Sequence, residues 1–210
     1  MNTPTVHVID DDDGVRQATA RLLSAAGFAV RTHRSGDDFL AAGGAGAAGC
    51  IILDVRMPGR TGLDLQAAIA EHEDPLPIIF MTGHGTIPDS VRAIQDGAVD
   101  FLVKPVDPPL LLEAVSRALA RDAEDRRARA HRRVIRERFD RLTAREREVF
   151  VHLIGGQINK QVAADLSITE RTIKLHRARI LEKLEVDSMA ELARVAFDLG
   201  IDPAHVPEHP

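Results

Sequence analysis

The chain has 210 residues, 44% hydrophobic and 28% charged, with a formal net charge of −5; this is the composition of a globular chain long enough for two domains. A single cysteine, Cys50, excludes an internal disulfide or a cysteine-rich zinc site, and no apolar run approaches the roughly 20 residues a membrane helix needs. The charge is uneven: residues 1–120 carry 9 basic against 16 acidic side chains, and residues 121–210 carry 18 against 16, which suggests a cation-binding front and a back able to approach polyanions.

Met1-Asn2-Thr3-Pro4 lacks the basic and apolar regions of a signal peptide, so a cytoplasmic protein with no membrane partner is expected. Thr5-Val6-His7-Val8-Ile9 is a β-branched run that predicts a first strand, ending in Asp10-Asp11-Asp12-Asp13. An amphipathic helix to about residue 26 follows, with Val15, Ala18, Leu22 and Leu23 as its inward face and Gly27 as its stop. Residues 28–32 predict a second strand, and Ser35 caps a short helix with Asp38 at its third position. The Gly/Ala-rich stretch 41–49 reads as a mobile loop.

Ile51-Ile52-Leu53-Asp54-Val55-Arg56-Met57-Pro58 then gives a strand buried on both faces that ends on a carboxylate. A helix over 62–71, a strand over 77–82, a helix over 88–96 and a strand over 100–103 complete the series, and Asp107-Pro108 opens a fifth helix. Strands alternating with helices imply an α/β flavodoxin-like, doubly wound parallel five-stranded sheet of order 2-1-3-4-5. Its switch point lies between strands one and three, whose ends carry Asp10, Asp11 and Asp54.

Three crowded carboxylates repel one another unless a cation intervenes, and hard oxygen ligands suit Mg²⁺. Asp54 could then attack phosphorus as a nucleophile. Thr82, ending strand four, offers a hydroxyl to a phosphoryl oxygen, and Lys104, after strand five, offers the opposing positive charge. Arg56 and His84 stand two residues beyond Asp54 and Thr82, where attacking water must pass, and are expected to set the lifetime of an acyl phosphate.

Val-Ile-Asp10-Asp11, Leu53-Asp54-Val-Arg-Met-Pro58, Met81-Thr82-Gly-His-Gly and Phe101-Leu-Val-Lys104-Pro105 together resemble the receiver domain of bacterial response regulators over about residues 4–120. The resemblance implies that Asp54 is the phosphoacceptor, that Asp10, Asp11, Asp54 and the Arg56 backbone carbonyl hold the metal, and that Thr82 and Lys104 are the switch hydroxyl and lysine. It also implies a cis peptide before Pro105 and an inward-turning aromatic at Phe101, a phenylalanine where the family often carries tyrosine. Val91, Ala93, Ile94 and Phe101, around the fourth helix and fifth strand, form the expected dimerisation surface.

From 121 to 141 the composition shifts to nine arginines and five acids. No glycine or proline interrupts residues 110–141, so the fifth helix is expected to continue as a linker. Val134, Ile135 and Phe139 make only a short apolar patch, too little for a coiled coil. Arg132, Arg133 and Arg136 are candidate phosphate contacts.

Thr143 and Glu146 make a capping box for a helix ending at Gly155-Gly156. A second short helix, a turn at Ser167-Ile168 and a third helix capped by Thr169 give the helix-turn-helix pattern, and Ser188 with Glu191 starts a fourth helix. On the third helix Ile173, Ile180 and Leu184 face the core. Arg171, Lys174, Leu175 and Ala178, flanked by Arg177 and Arg179, face outward. Lys174 suits guanine acceptors, and Leu175 or Ala178 a thymine methyl. Asn159, Lys160 and Thr172 suit phosphates.

The segments around Glu146, Asn159-Lys160 and Thr172–Lys183 resemble the LuxR-type DNA-binding domain. Preceded by a receiver, the whole resembles a NarL/FixJ-type response regulator. The expected division is a receiver over 1–120, a helical linker over 121–140, an all-α four-helix helix-turn-helix domain over 141–201 and a loose tail over 202–210. The implied partners are a sensor histidine kinase, double-stranded promoter DNA, a second copy of the chain after phosphorylation, and the transcription machinery. The implied activity is self-phosphorylation and dephosphorylation only. The rival readings are a receiver that binds DNA without phosphate and an aspartyl-phosphate hydrolase.

Overall fold

A computed structural model describes residues 3–44, 46–83 and 86–202. It divides between Arg126 and Arg127 into two compact units. In the first, β1 (Thr5–Ile9), β2 (Ala29–His33), β3 (Gly49–Leu53), β4 (Ile78–Thr82) and β5 (Asp100–Val103) form one parallel sheet of order β2-β1-β3-β4-β5. Helices α1 (Asp13–Ala25), α2 (Gly36–Ala41), α3 (Gly62–Ala70), α4 (Ile87–Gln95) and the start of α5 (Pro108–Asp140) connect and follow the strands.

Alternation along β3 explains why its run is uniformly apolar. Ile51 and Leu53 pack with Phe39, Leu65, Phe80 and Ala93 on one face. Cys50 and Ile52 pack with Leu23, Ile79, Leu111 and Val115 on the other. Both faces are covered, as parallel sheets require.

The inward face of α1 carries Val15, Leu22 and Leu23 as expected but differs at Ala18. Arg16, Thr19 and Leu23 are buried, whereas Ala18 faces solvent. Arg16 is buried with its guanidinium donating to the buried Asp10 carbonyl (2.7 Å). The Gly/Ala-rich connection before β3 is tied to α5: Gly49 N–H donates to Asp122 (2.9 Å), and Arg126 donates to the carbonyls of Gly46 (3.1 Å) and Ala47 (2.6 Å). A Cβ at Gly49 would sit 1.9 Å from the Thr5 carbonyl oxygen, so only glycine fits beside β1.

The stretch expected as a spacer is shared out. Asp122 and Arg126 serve the first unit, while Ile135 and Phe139 enter the core of the second. That unit adds α6 (Ala144–Ile154), α7 (Asn159–Asp165), α8 (Glu170–Leu184) and α9 (Met189–Asp198). Val149, Phe150, Leu153, Val162, Ile173, Ile180, Leu184 and Leu192 fill its centre. Ser167 takes φ 52° in the turn between α7 and α8. Among the described residues, no helix is long and apolar enough to cross a membrane. Residues 203–210 of the expected tail lie outside the described residues.

Candidate functional site

The strands β1 and β3 lie side by side in register, Ile9 opposite Leu53, so the residues that follow them emerge together. Asp10 is fully buried, Asp54 is buried, and Asp11 is exposed. One carboxylate oxygen from each lies within 4.8 Å of the others. Asp10 Oδ1 accepts from the Asp12 amide (2.9 Å), and Asp54 Oδ1 accepts from the Arg56 amide (3.2 Å). The Asp54 amide itself donates to the Ile9 carbonyl (3.0 Å), carrying the sheet ladder one residue past β3. A Cβ at Gly62 would lie 2.2 Å from the Asp54 carbonyl oxygen, so a glycine there lets α3 begin directly behind the acid.

Lys104 completes the cluster from the end of β5. Its Nζ donates to Asp10 Oδ2 (2.7 Å) and to Asp54 Oδ2 (2.8 Å). Burial works against the ammonium, yet the bonds to both acids outweigh it and raise the lysine pKa. Burial pushes the Asp10 carboxyl up, with the Asp54 charge adding to this and the lysine pulling it back. The Lys104–Pro105 peptide is cis. Thr82 is buried at the end of β4 opposite Val103, and its carbonyl accepts from the Lys104 amide (2.8 Å). The three carboxylates offer oxygen donors alone, a set that fits a hard divalent cation.

Phe101 is half-buried, its ring 6.0 Å from that of Phe80. Arg56 is exposed at the rim, and His84 lies outside the described residues. Of the expected dimerisation residues, Val91 and Ile94 are exposed but Ala93 is not: it is buried in the core, and its carbonyl accepts from Gln66 (3.1 Å). On α4 the exposed apolar stripe is instead Ile87, Val91 and Ile94, with Val103 exposed on β5. The spacing explains the correction, since residues four and three apart share a helix face and position 93 falls opposite.

In the second unit α8 turns Ile173, Ile180 and Leu184 inward. Arg171, Lys174, Leu175, Ala178 and Arg179 are exposed, while Thr172 and Arg177 are half-buried. The Thr172 hydroxyl stands 2.9 Å from that of Thr169, which also accepts from the Thr172 amide (3.2 Å), so this side chain takes part in the helix cap. Lys160 is exposed on α7; Asn159 beside it is half-buried, with Oδ1 enclosed. Arg132, Arg133 and Arg136 are exposed on α5.

Several contacts escaped sequence reasoning, three of them at or near the elements that carry the candidate site residues. Arg16 reaches back to the Asp10 carbonyl (2.7 Å), Asp122 anchors the Gly49 amide, and Lys183 donates to Glu146 (2.6 Å) within the capping box of α6. Only the first had a local signal, an arginine one helical turn beyond an acidic run. The other pairs are 73 and 37 residues apart in the chain.

Residues 6–116 match the family model for the response regulator receiver domain, and residues 140–196 match that for the luxR family of bacterial regulatory proteins. The transcriptional regulatory protein FixJ of Azorhizobium caulinodans is 43% identical over 199 residues, covering 95% of this chain and 94% of that protein. The response regulator protein TodT of Pseudomonas putida is 40% identical over 190 residues, covering 90% and 84%. Among solved structures, the response regulator StyR is 42% identical with a TM-score of 0.81, covering 93% of this chain and 99% of its own. Full-length FixJ from B. japonicum is 36% identical with a TM-score of 0.58, covering 96% and 100%.

Proposed function

Because the chain belongs to the response regulators of the NarL/FixJ type, phosphorylation-dependent transcriptional regulators that join a receiver to a LuxR-type DNA-binding domain, we propose that Asp54 is its phosphoacceptor and α8 its DNA-reading helix. The observation that carries the first half is the bridge of Lys104 Nζ between Asp10 and Asp54 at the switch point of the sheet. A structural ion pair needs one acid; a third acid and a buried threonine beside it suit a phosphoryl group.

In this reading Asp10, Asp11, Asp54 and the Arg56 carbonyl hold Mg²⁺, which when bound neutralises charge on the phosphoryl oxygens. A carboxylate oxygen of Asp54 attacks the phosphorus of a phosphohistidine on a sensor kinase. The P–O bond forms as the P–N bond breaks, its electron pair returning to the imidazole nitrogen. Lys104 moves from Asp54 Oδ2 onto a phosphoryl oxygen, Thr82 donates its hydroxyl to another, and Phe101 turns inward. Pro105 holds the lysine's turn, and Arg56 with His84 governs the access of hydrolytic water. The protein catalyses no reaction beyond its own phosphorylation and dephosphorylation.

Phe101 and the stripe on α4 then join two copies. Two-fold pairing sets two α8 helices on half-sites about one helical turn apart. Lys174, Leu175 and Ala178 read base edges. Asn159, Lys160, Arg171, Thr172, Arg177 and Arg179 grip phosphates, and the bound dimer meets the transcription machinery. A role on promoter DNA goes with a cytoplasmic location.

Incubation with acetyl phosphate and Mg²⁺ followed by intact-mass measurement tests the chemistry. One phosphoryl adduct is expected on the wild type and none on Asp54→Asn. An unmodified wild type that still binds promoter DNA would favour constitutive binding.

A further inference from the structure

We propose that Arg16 is a positioning residue for the cation site: it fixes the main chain of Asp10, and thereby the aim of that carboxylate, while keeping Asp13 away from the ion. This rests on the reading of Asp10, Asp11 and Asp54 as the cation-binding acids.

Arginine is among the residues least often buried, yet Arg16 is 3% exposed. Its guanidinium sits at the end of β1, where Nη1 donates to the Asp10 carbonyl (2.7 Å) and Nη2 pairs with the Asp13 carboxylate. The Asp10 amide meanwhile donates to the His33 carbonyl (3.3 Å). Both polar groups of the Asp10 main chain are therefore engaged, and the residue cannot rotate without breaking one of them. Its side chain is held separately by the Asp12 amide and by Lys104.

The four consecutive acids consequently do different work. Asp12 caps α1, accepting from the amides of Gly14 (2.8 Å) and Val15 (3.0 Å). Asp13 neutralises Arg16, and Arg34 Nε lies 3.8 Å from the same carboxylate. Only Asp10 and Asp11 remain to join Asp54. A lysine at position 16 would bring the charge but not the planar fork that reaches a carbonyl and a carboxylate together.

The sign of the effect separates positioning from simple charge. Removing a cation near a cation site should tighten Mg²⁺ binding on Coulombic grounds. Losing an outer partner that orients a ligand weakens metal binding, by about 10- to 100-fold. Calorimetric titration of Mg²⁺ into the unphosphorylated full-length protein distinguishes the two, with folding checked by circular dichroism in ion-free buffer. Arg16→Met, which keeps the aliphatic stem, and Arg16→Lys are both expected to raise the dissociation constant about tenfold or more.

Unchanged or tighter binding in Arg16→Met overturns the inference, as does wild-type affinity in Arg16→Lys. Where the methionine variant does not fold, the lysine variant decides. A wild type that takes up no Mg²⁺ overturns the reading of the acids and this inference with it; equal affinity in wild type and variant overturns this inference alone.

Discussion

His7 and His33 sit side by side on β1 and β2, Nδ1 of one 3.1 Å from Nε2 of the other, with the Phe39 ring edge-on to both. Burial lowers the His7 pKa from 6.5 to about 4, and the charges of His33 and Arg31 add to the fall. The folded state thus refuses a proton that the unfolded chain accepts, so stability is complete above pH 6.5 and drains away as pH falls toward 4. Replacing His7 by Leu should reduce the stability lost between pH 7 and pH 5 by about 2 kcal/mol. Denaturant melts of both proteins at the two pH values check this, and parallel losses would sink it. Asp54 was legible from sequence because a carboxylate ending an apolar run has few structural uses. The His7 environment was not, since only the pairing of β2 beside β1 brings His33, two residues beyond His7's partner Arg31, against its ring.

At the scale of elements, α5 is held by charge as well as by apolar packing. Asp122 is buried, accepts from Arg126 Nε (2.9 Å) and anchors the connection before β3. Asp122→Ala leaves the Arg126 Nε and the Gly49 amide without their acceptor, at an expected cost of about 2–4 kcal/mol to the receiver. Hydrogen exchange should quicken at residues 46–50; protection equal to the wild type would show the anchor to be idle. On α4, Ile94→Asp puts a charge on the exposed stripe without disturbing Ala93 beneath. Phosphorylation should persist while phosphorylation-dependent dimerisation, read by sedimentation, is lost. The α4 helix itself was legible in sequence, and so was its outward stripe, since Ile87, Val91 and Ile94 recur four and three apart; only packing shows that Ala93 is covered.

For the molecule as a whole, the proposed reading makes the output depend on α8 meeting DNA. Lys174→Ala should cost about 1–3 kcal/mol and relax preference at one base position, measured by binding to a library of site variants. Arg171→Ala should instead weaken all sequences alike and reduce the salt dependence by about one phosphate contact. Phosphorylation that takes the population from mostly inactive to mostly active must favour one state by roughly 5.5 kcal/mol. That is a demand several phosphoryl contacts can meet together and no single hydrogen bond can.

Local pattern alone determined the succession of strands and helices, the acids that end β1 and β3, the caps at Thr143, Thr169 and Ser188 and the inward face of α8. Each depends on periodicity or on neighbours within one turn, and such information is written along the chain. Tertiary structure decided the burial of Arg16, the pairing of His7 with His33, the Asp122 anchor, the Lys183–Glu146 bond and the inward position of Ala93. In most of these the partners are distant in sequence and become neighbours only after strands and helices have packed. Arg16 is the exception: its partners are close in the chain, but the core that covers it is not.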